Sequence, residues 1–363
     1  MAARILRYFA DGNTALGFYS LFESNLQGLR RIFILKGGPG TGKSSLMNAI
    51  GTEWAERGYD IELIHCSSDK DSIDGVIIPA LGVGIVDGTA PHVIEPKAPG
   101  AAREYVNLGE AWDSAALISQ REIIEELNRK AADAYAAAYS RFAEALNIHD
   151  EWEKIYFEHM DFGKADQLTA LMLEQLFGEA HLQRSADVKH RFLGAATPAG
   201  SVDFVPNLTE GLWRRFFLKG RAGTGKSTIL RTIASEAEKR GFDTEIYHCG
   251  FDPHSLDMVI VRELDFAVFD STSPHEYYPE REGDVIIDTY EAVVAPGTDE
   301  RLAGPLEEVS TQYKATMKTA IAALAEAKVH RDELKKIYTA AMDFSVADAA
   351  RNRISAELAR ILA

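Results

Sequence analysis

The chain has 363 residues, enough for two to three domains, and its 46% hydrophobic and 26% charged content is that of an ordinary globular protein. A net charge of −16 argues against a dedicated nucleic-acid binder, whose affinity rests on neutralising phosphates with Lys and Arg. No apolar run is long enough to span a bilayer, the N-terminus MAARILRYFA lacks the apolar stretch of a signal peptide, and two cysteines, Cys66 and Cys249, make no disulfide framework, so a cytoplasmic location is expected.

In chain order, the first expected element with a clear pattern is a strand over residues 31–36, built on the apolar run Phe33-Ile34-Leu35. The glycine loop GGPGTGKS follows, Gly37 to Ser44, and then a helix from Lys43 to Arg57 that stops at Gly58. Strand, loop and helix in this order are the context in which G-x-x-x-x-G-K-[ST] works as a P-loop. Glycines let backbone N–H groups curl around a polyphosphate, and the helix N-terminus adds its positive dipole end. Lys43 would reach the β and γ oxygens, and the Ser44 hydroxyl would hold Mg²⁺. The nucleotide-binding set of this half is Gly37, Gly38, Pro39, Gly40, Thr41, Gly42, Lys43, Ser44 and Ser45. Two more strands are expected over Asp60–Cys66 and Leu81–Val86. The second of these ends at Asp87, which has the form of a Walker B aspartate holding Mg²⁺ through water. Trp112–Leu146, continued by residues 150–177, is rich in Ala, Glu, Ile and Leu without proline, and reads as a helical hairpin.

The remainder repeats the beginning. A shift of 183 positions lays Lys43 on Lys226 and holds without a gap from Arg31 on Arg214 to Pro96 on Pro279. The second loop, GRAGTGKS, gives the nucleotide-binding set Gly220, Arg221, Ala222, Gly223, Thr224, Gly225, Lys226, Ser227 and Thr228. Strands are expected over Asp243–Cys249 and Leu264–Phe269, the latter ending at Asp270, the second Walker B candidate; Ser227 and Asp270 would hold the second Mg²⁺. A further block, IYFEHMDFGKAD (Ile155–Asp166), recurs at a shift of 182 as IYTAAMDFSVAD (Ile337–Asp348). Helices are expected over Val309–Tyr338 and Ser345–Leu362, and Gly194–Val205 reads as irregular. The fold expected is α/β: two tandem P-loop NTPase domains (1–112 and 190–303), each a parallel sheet flanked by helices, each followed by a helical segment (113–189 and 304–363).

Further chemistry-bearing residues are ambiguous in sequence. Val285-Ile286-Ile287-Asp288 rivals Asp270 in form, but its first-half counterpart ends in Asn107, so it ranks lower. Gly88 and Ser271 follow the Walker B candidates where many ATPases place a catalytic Glu, so turnover is expected to be slow, partner-gated, or dependent on another carboxylate. The repeated D-x-x-S-x-D supplies Asp69, Ser72 and Asp74, then Asp252, Ser255 and Asp257; Asp69 and Asp252 are catalytic candidates for orienting a water or an acceptor hydroxyl, with loop and cap chemistry the alternative. His65-Cys66 and His248-Cys249 lack zinc-site spacing and read as core residues. His92 and His275 suit a γ-phosphate sensor or a turn. Arg221 suits a phosphate contact or a solvated loop, and Arg30, Arg31, Arg214 and Arg215 suit arginines acting in trans or a solvated basic cluster.

The segments ILKGGPGTGKSS, ELIHCSSDKDSIDGVIIP, VDGTAPHVIEPKAPGA and NLTEGLWRRFFLKGRAGTGKST, with GNTALGFYSLFESNLQGL, resemble a bacterial family of tandem P-loop ATP-binding proteins, a resemblance that covers nearly the whole chain. It implies a P-loop fold and ATP binding at 37–45 and 220–228, and no physiological task. The function expected is an Mg²⁺-dependent ATPase, a hydrolase with two sites in an internal pseudo-dimer, switching a protein partner through its helical segments. The alternatives are an adenylate-kinase-like small-molecule kinase and a non-hydrolysing nucleotide-sensing scaffold; homo-oligomerisation stays open.

Overall fold

The computed structural model describes residues 3–95 and 98–362, so Pro96, the last matched position of the repeat, lies outside it. The first half runs β1 (Ile5–Phe9), β2 (Asp11–Thr14), β3 (Gly17–Ser20), α1 (Phe22–Asn25), β4 (Arg31–Lys36), α2 (Lys43–Glu56), β5 (Ile61–His65), β6 (Ile73–Ile78), β7 (Val83–Asp87), β8 (Arg103–Asn107), α3 (Ser114–Ser119), α4 (Arg121–Phe157) and α5 (Phe162–Phe177). The second half repeats it as β9 (Val188–Phe192), β10 (Gly194–Thr197), β11 (Gly200–Asp203), α6 (Val205–Leu208), β12 (Arg214–Lys219), α7 (Lys226–Lys239), β13 (Thr244–His248), β14 (Leu256–Val261), β15 (Phe266–Asp270), β16 (Asp284–Asp288), α8 (Thr289–Val293), α9 (Thr298–Arg301), α10 (Ala303–Ala340) and α11 (Phe344–Leu362).

Both halves contribute to one twelve-stranded sheet, in the order β16-β12-β15-β14-β13-β9-β1-β5-β6-β7-β4-β8, flanked by helices. The sheet is mixed, which corrects the expectation of a parallel one. β6 runs antiparallel to both β5 and β7, and β14 does the same between β13 and β15. β6 lies outside the strands expected from sequence, its Asp74 and Gly75 being poor strand formers. Every residue of β6 is nevertheless buried, as in a strand covered on both faces. Gly194–Val205, expected to be irregular, contains the β10–β11 hairpin, and Lys189, taken as a boundary, lies inside β9.

The halves meet where β1 pairs antiparallel with β9 through Phe9 and Phe192, giving the sheet a pseudo-twofold axis. A buried ion cluster sits at that junction. Arg191, 4% exposed, donates to Glu62 at 2.8 Å and lies 3.4 Å from Glu245, its guanidinium stacked over the Tyr8 ring at 4.1 Å. The repeat places Tyr8 opposite Arg191, so one cation serves the glutamates of both halves. Arg191→Ala leaves Glu62 near the dyad without its cation while Glu245 keeps Arg262, and is expected to cost about 3 kcal/mol in denaturant unfolding. A loss below about 1 kcal/mol would remove the cluster from any part in joining the halves.

The helical segments cross over. α5 buries Met172, Leu176 and Phe177 in the second-half core with Phe216, Ile233 and Phe266. α11 buries Ala347, Ile354 and Leu358 in the first-half core with Phe33, Ile50 and Trp54. α4 and α10, each roughly 55 Å long at the usual rise, pack along each other and bridge the halves. From Leu127 to Ile148 the buried residues of α4 (Leu127, Ala131, Ala134, Ala138, Phe142, Ala145 and Ile148) recur three or four apart, a coiled-coil seam that its small alanines let close tightly. At mid-length they meet Ala320 and Leu324 of α10, and Ala15 of the β2–β3 turn. Each helical segment therefore completes the α/β core of the opposite half. Among the described residues no helix is long and apolar enough to cross a membrane.

Candidate functional site

Each glycine loop leaves the C-terminal end of a strand with a buried apolar middle, β4 or β12, and turns into a helix through a glycine in the left-handed region, Gly42 at φ 84° and Gly225 at φ 86°. That conformation is cheap only for glycine. The first N–H groups of α2 and α7, including those of Ser44–Ser45 and Ser227–Thr228, have no intrahelical acceptor and face the loop. Lys43 Nζ donates to the carbonyls of Gly37 at 2.6 Å and Gly38 at 2.9 Å, and lies 3.5 Å from Asp87 Oδ2. Lys226 Nζ repeats this with the Arg221 carbonyl at 2.7 Å and Asp270 Oδ2 at 3.6 Å. Thr41 and Thr224 bind the loop back on itself through the carbonyls of Gly38 and Arg221, both at 2.9 Å.

Asp87 and Asp270 end the strands next to β4 and β12, in register with Leu35 and Leu218. Each has one carboxylate oxygen accepting from the N–H and hydroxyl of the threonine two residues on, Thr89 or Thr272, which leaves the other facing the lysine. Ser44 Oγ accepts from Ile73 N and Ser227 Oγ from Leu256 N, each at 3.0 Å, so β6 and β14 fix the serines. Ser44 with Asp87, and Ser227 with Asp270, are hard-oxygen pairs of the kind that hold Mg²⁺ with retained waters. The rival Asp288 instead caps α8 through Tyr290 N and Glu291 N, as Asn107 caps its own turn through Gly109 N.

The D-x-x-S-x-D groups divide. Asp69 and Asp252 are turn residues that accept from Ser72 and Ser255; Asp69 also lies 3.8 Å from Lys328 and 3.9 Å from Lys335 of α10. Asp74 and Asp257 are buried within β6 and β14, one residue past the serine-holding N–H. Burial pushes Asp74 up to about 7 and Asp257 up to about 6. His92 lies with Nδ1 3.0 Å from Asp11 and Nε2 3.5 Å from Asp74. Burial opposes its charge, but the two carboxylates prevail and raise it to about 9. In the second half His275 Nδ1 lies 2.9 Å from Asp203, and against the same burial Asp203 and Asp257 raise it. The acid has changed strands between halves: Asp11 stands in β2 where β10 has Gly194, and Asp203 stands in β11 where β3 has Ser20. The hairpins thus bring an acid to the histidine of each half: Asp11, His92 and Asp74 stand in a row in the first, and in the second Asp203 pairs with His275 while Asp257 acts on it through its charge. Sequence comparison of the halves could not reveal this arrangement, because the outer acids occupy unmatched positions.

The remaining candidates have partners away from the loops. Arg30, Arg31, Arg214 and Arg215 lie at the opposite ends of β4 and β12 from the loops, committed to Leu81 O, Glu357 and Glu104, Leu264 O, and Asp284 respectively, so none acts in trans on a phosphate. Arg221 pairs with Asp299 at 2.9 Å over the Tyr290 ring, turned to the loop's flank. His65 bonds Arg7 and His248 bonds His190, while burial pushes the thiols of Cys66 and Cys249 well up, so these four are structural.

Neither loop stands within its own half alone. A methyl group at Gly40 would meet the Lys335 carbonyl of α10 at 2.7 Å, and one at Gly223 would meet the Glu153 carbonyl of α4 at 2.5 Å. The segment joining each long helix to the next is pinned by backbone pairs: Asp161 N to Val293 O (2.8 Å) and Ala295 N to His159 O (2.9 Å), repeated as Asp343 N to Ala111 O (2.9 Å) and Asp113 N to Ala341 O (2.8 Å). Trp112, which precedes α3 and α4, faces Gly38 of the first loop, and α4 ends at the second loop; α10 ends at the first. A cavity of about 1680 Å³ encloses the second loop together with Asp252, Asp257, Asp270 and His275 and the ends of α4 and α5. Comparison with protein-family models, with curated proteins and with solved structures finds no match to this chain.

Proposed function

We propose that the chain is a tandem P-loop ATPase: it binds Mg²⁺–ATP at 37–45 and 220–228 and turns it over slowly, as a two-site switch acting on a protein partner. The observation that carries this is the convergence, in both halves, of a glycine loop on a helix N-terminus with one lysine, one serine and one strand-end aspartate. Bound magnesium would neutralise phosphate charge, held by Ser44 or Ser227 with Asp87 or Asp270 behind water. In place of a glutamate after the Walker B position, we assign Asp74 and Asp257 to orienting the attacking water, with His92 and His275 positioning them. The crossed helices supply the coupling: a state set at one loop bears on the long helix that ends there, which packs along the helix ending at the other.

Calorimetry with Mg²⁺–ATP tests the core of this. Binding to the wild-type chain that is lost in the Lys43→Ala/Lys226→Ala double variant is expected. No association of ATP or GTP with the wild type would sink the reading.

One observation favours a second reading, phosphoryl transfer to a small acceptor. The cavity at the second loop exceeds the roughly 300–1,000 Å³ of ordinary small-ligand sites. That version requires ATP consumption stimulated by one metabolite, with a phosphorylated product; a metabolite screen without such a product counts against it.

A further inference from the structure

The repeated Met-Asp-Phe turn is left without a role by everything above, and its position suggests one. Met160-Asp161-Phe162 and Met342-Asp343-Phe344 begin α5 and α11, and each belongs by sequence to the half opposite the loop it touches. A methyl group at Gly225 would lie 3.5 Å from Met160 Cε, and one at Gly42 would lie 3.8 Å from Phe344 Cε1. The last glycine before each lysine is thus roofed by this turn. The phenylalanines are not packed away: Phe162 is 51% exposed and Phe344 43%. A large aromatic ring left half in water at the same place in both repeats forgoes burial that a core residue would gain. In the second site Phe162 lines the cavity with Thr228, and Phe157, 5.0 Å away and edge-on, braces the ring.

We infer that Phe162 and Phe344 are nucleobase platforms supplied in trans, each stacking on the heteroaromatic base of a nucleoside triphosphate whose phosphates lie in the opposite half's glycine loop. This rests on the nucleotide reading and adds the base subsite to it. The helix that follows each glycine loop leads the chain away from the polyphosphate on the side where α5 packs on α7 and α11 packs on α2. The turn thus stands at the helix end of the cradle, against Gly225 and Gly42, and in the second site Phe162 shares the cavity with Thr228, a place a base could reach. Stacking suits this position because it tolerates any base. The backbone pairs at Asp161 and Asp343 hold the turn to the half whose loop it covers, so the platform is fixed relative to the phosphates.

The test compares Mg²⁺–ATP with Mg²⁺–tripolyphosphate, which has the phosphates and no base, by calorimetry on the full-length chain. Phe162→Ala/Phe344→Ala is expected to weaken ATP about tenfold or more and to leave tripolyphosphate unchanged. Phe162→Trp/Phe344→Trp is expected to restore ATP affinity, which a merely structural role for the ring does not predict. Equal weakening of both ligands, or weakening of neither, overturns the platform while the phosphate cradles stand. If the wild type binds tripolyphosphate as tightly as ATP, the base has no subsite and the inference fails. If it binds neither, the nucleotide reading fails first and the platform with it; the two failures are therefore distinct.

Discussion

Lys226→Ala is expected to reduce ATP turnover at its own site by at least about a hundredfold, and Lys43→Ala to do so at the first by a different factor. The ammonium of each loop would donate to β and γ oxygens, and hydrogen bonds to charged groups contribute roughly 1.5–3 kcal/mol each. Two such bonds account for the factor. The inequality follows from the loops' own difference: Arg221-Ala222 in the second, with Arg221 held by Asp299, stands where the first has Gly38-Pro39. Phosphate release with Mg²⁺–ATP measures turnover, and calorimetry counts the sites that remain. Since α4 meets the second loop, α10 meets the first, and the two pack along each other, each single variant should also shift the affinity of the untouched site. Equal and independent losses would show two separate sites and count against a switch. The same assays separate the carboxylates. Asp74→Asn/Asp257→Asn should retain binding and lose turnover by about 10²–10⁴-fold, the range of a positioned acid or base. Unchanged turnover would remove both from the role assigned to them.

The glycine loops, the strands that enter them, Asp87 and Asp270 were legible because each is local: an apolar run, a fixed spacing and a strand tip lie within about fifty residues. The duplication was legible for the same reason. What sequence did not disclose is long-range. The helical patterns of 113–189 and 304–363 are visible as patterns, yet nothing in Met172 or Leu358 states which core they fill. Only the geometry of the antiparallel α4–α10 pair sends each to the opposite half. β6 escaped because burial overrode the weak strand propensity of Asp74-Gly75. The row through His92 escaped because its outer acid arrives from a hairpin about eighty residues upstream, and its counterpart in the second half arrives from the other strand of the equivalent hairpin.

Gly223→Ala is expected to be far more damaging than the backbone strain of the residue alone. Gly223 has φ 72°, Gly40 φ 76° and Gly58 φ 88°, so alanine at any of the three bears the left-handed penalty of about 1–2 kcal/mol. At Gly58 a methyl group meets nothing within 4 Å. At Gly223 it meets the backbone of Glu153, with the carbonyl oxygen at 2.5 Å and Cα at 2.9 Å, atoms that no rotamer change can move. α4 can retreat only by drawing on the backbone pairs at His159 and Asp161, which hold its end to the second half. Overpacking of this kind typically adds about 1–3 kcal/mol. Denaturant unfolding should therefore rank Gly58→Ala well above Gly223→Ala in stability, with Gly40→Ala grouped with the latter through Lys335 and Thr339. The helix contact also makes a prediction that strain does not. Displacing the end of α4 at the second loop should alter nucleotide affinity at the first, because α4 packs along α10, whose far end meets Gly40 of the first loop. Gly223→Ala combined with Lys226→Ala isolates the first site for that measurement. If its affinity there equals that of Lys226→Ala alone, the rods hold the halves together without carrying a signal between them.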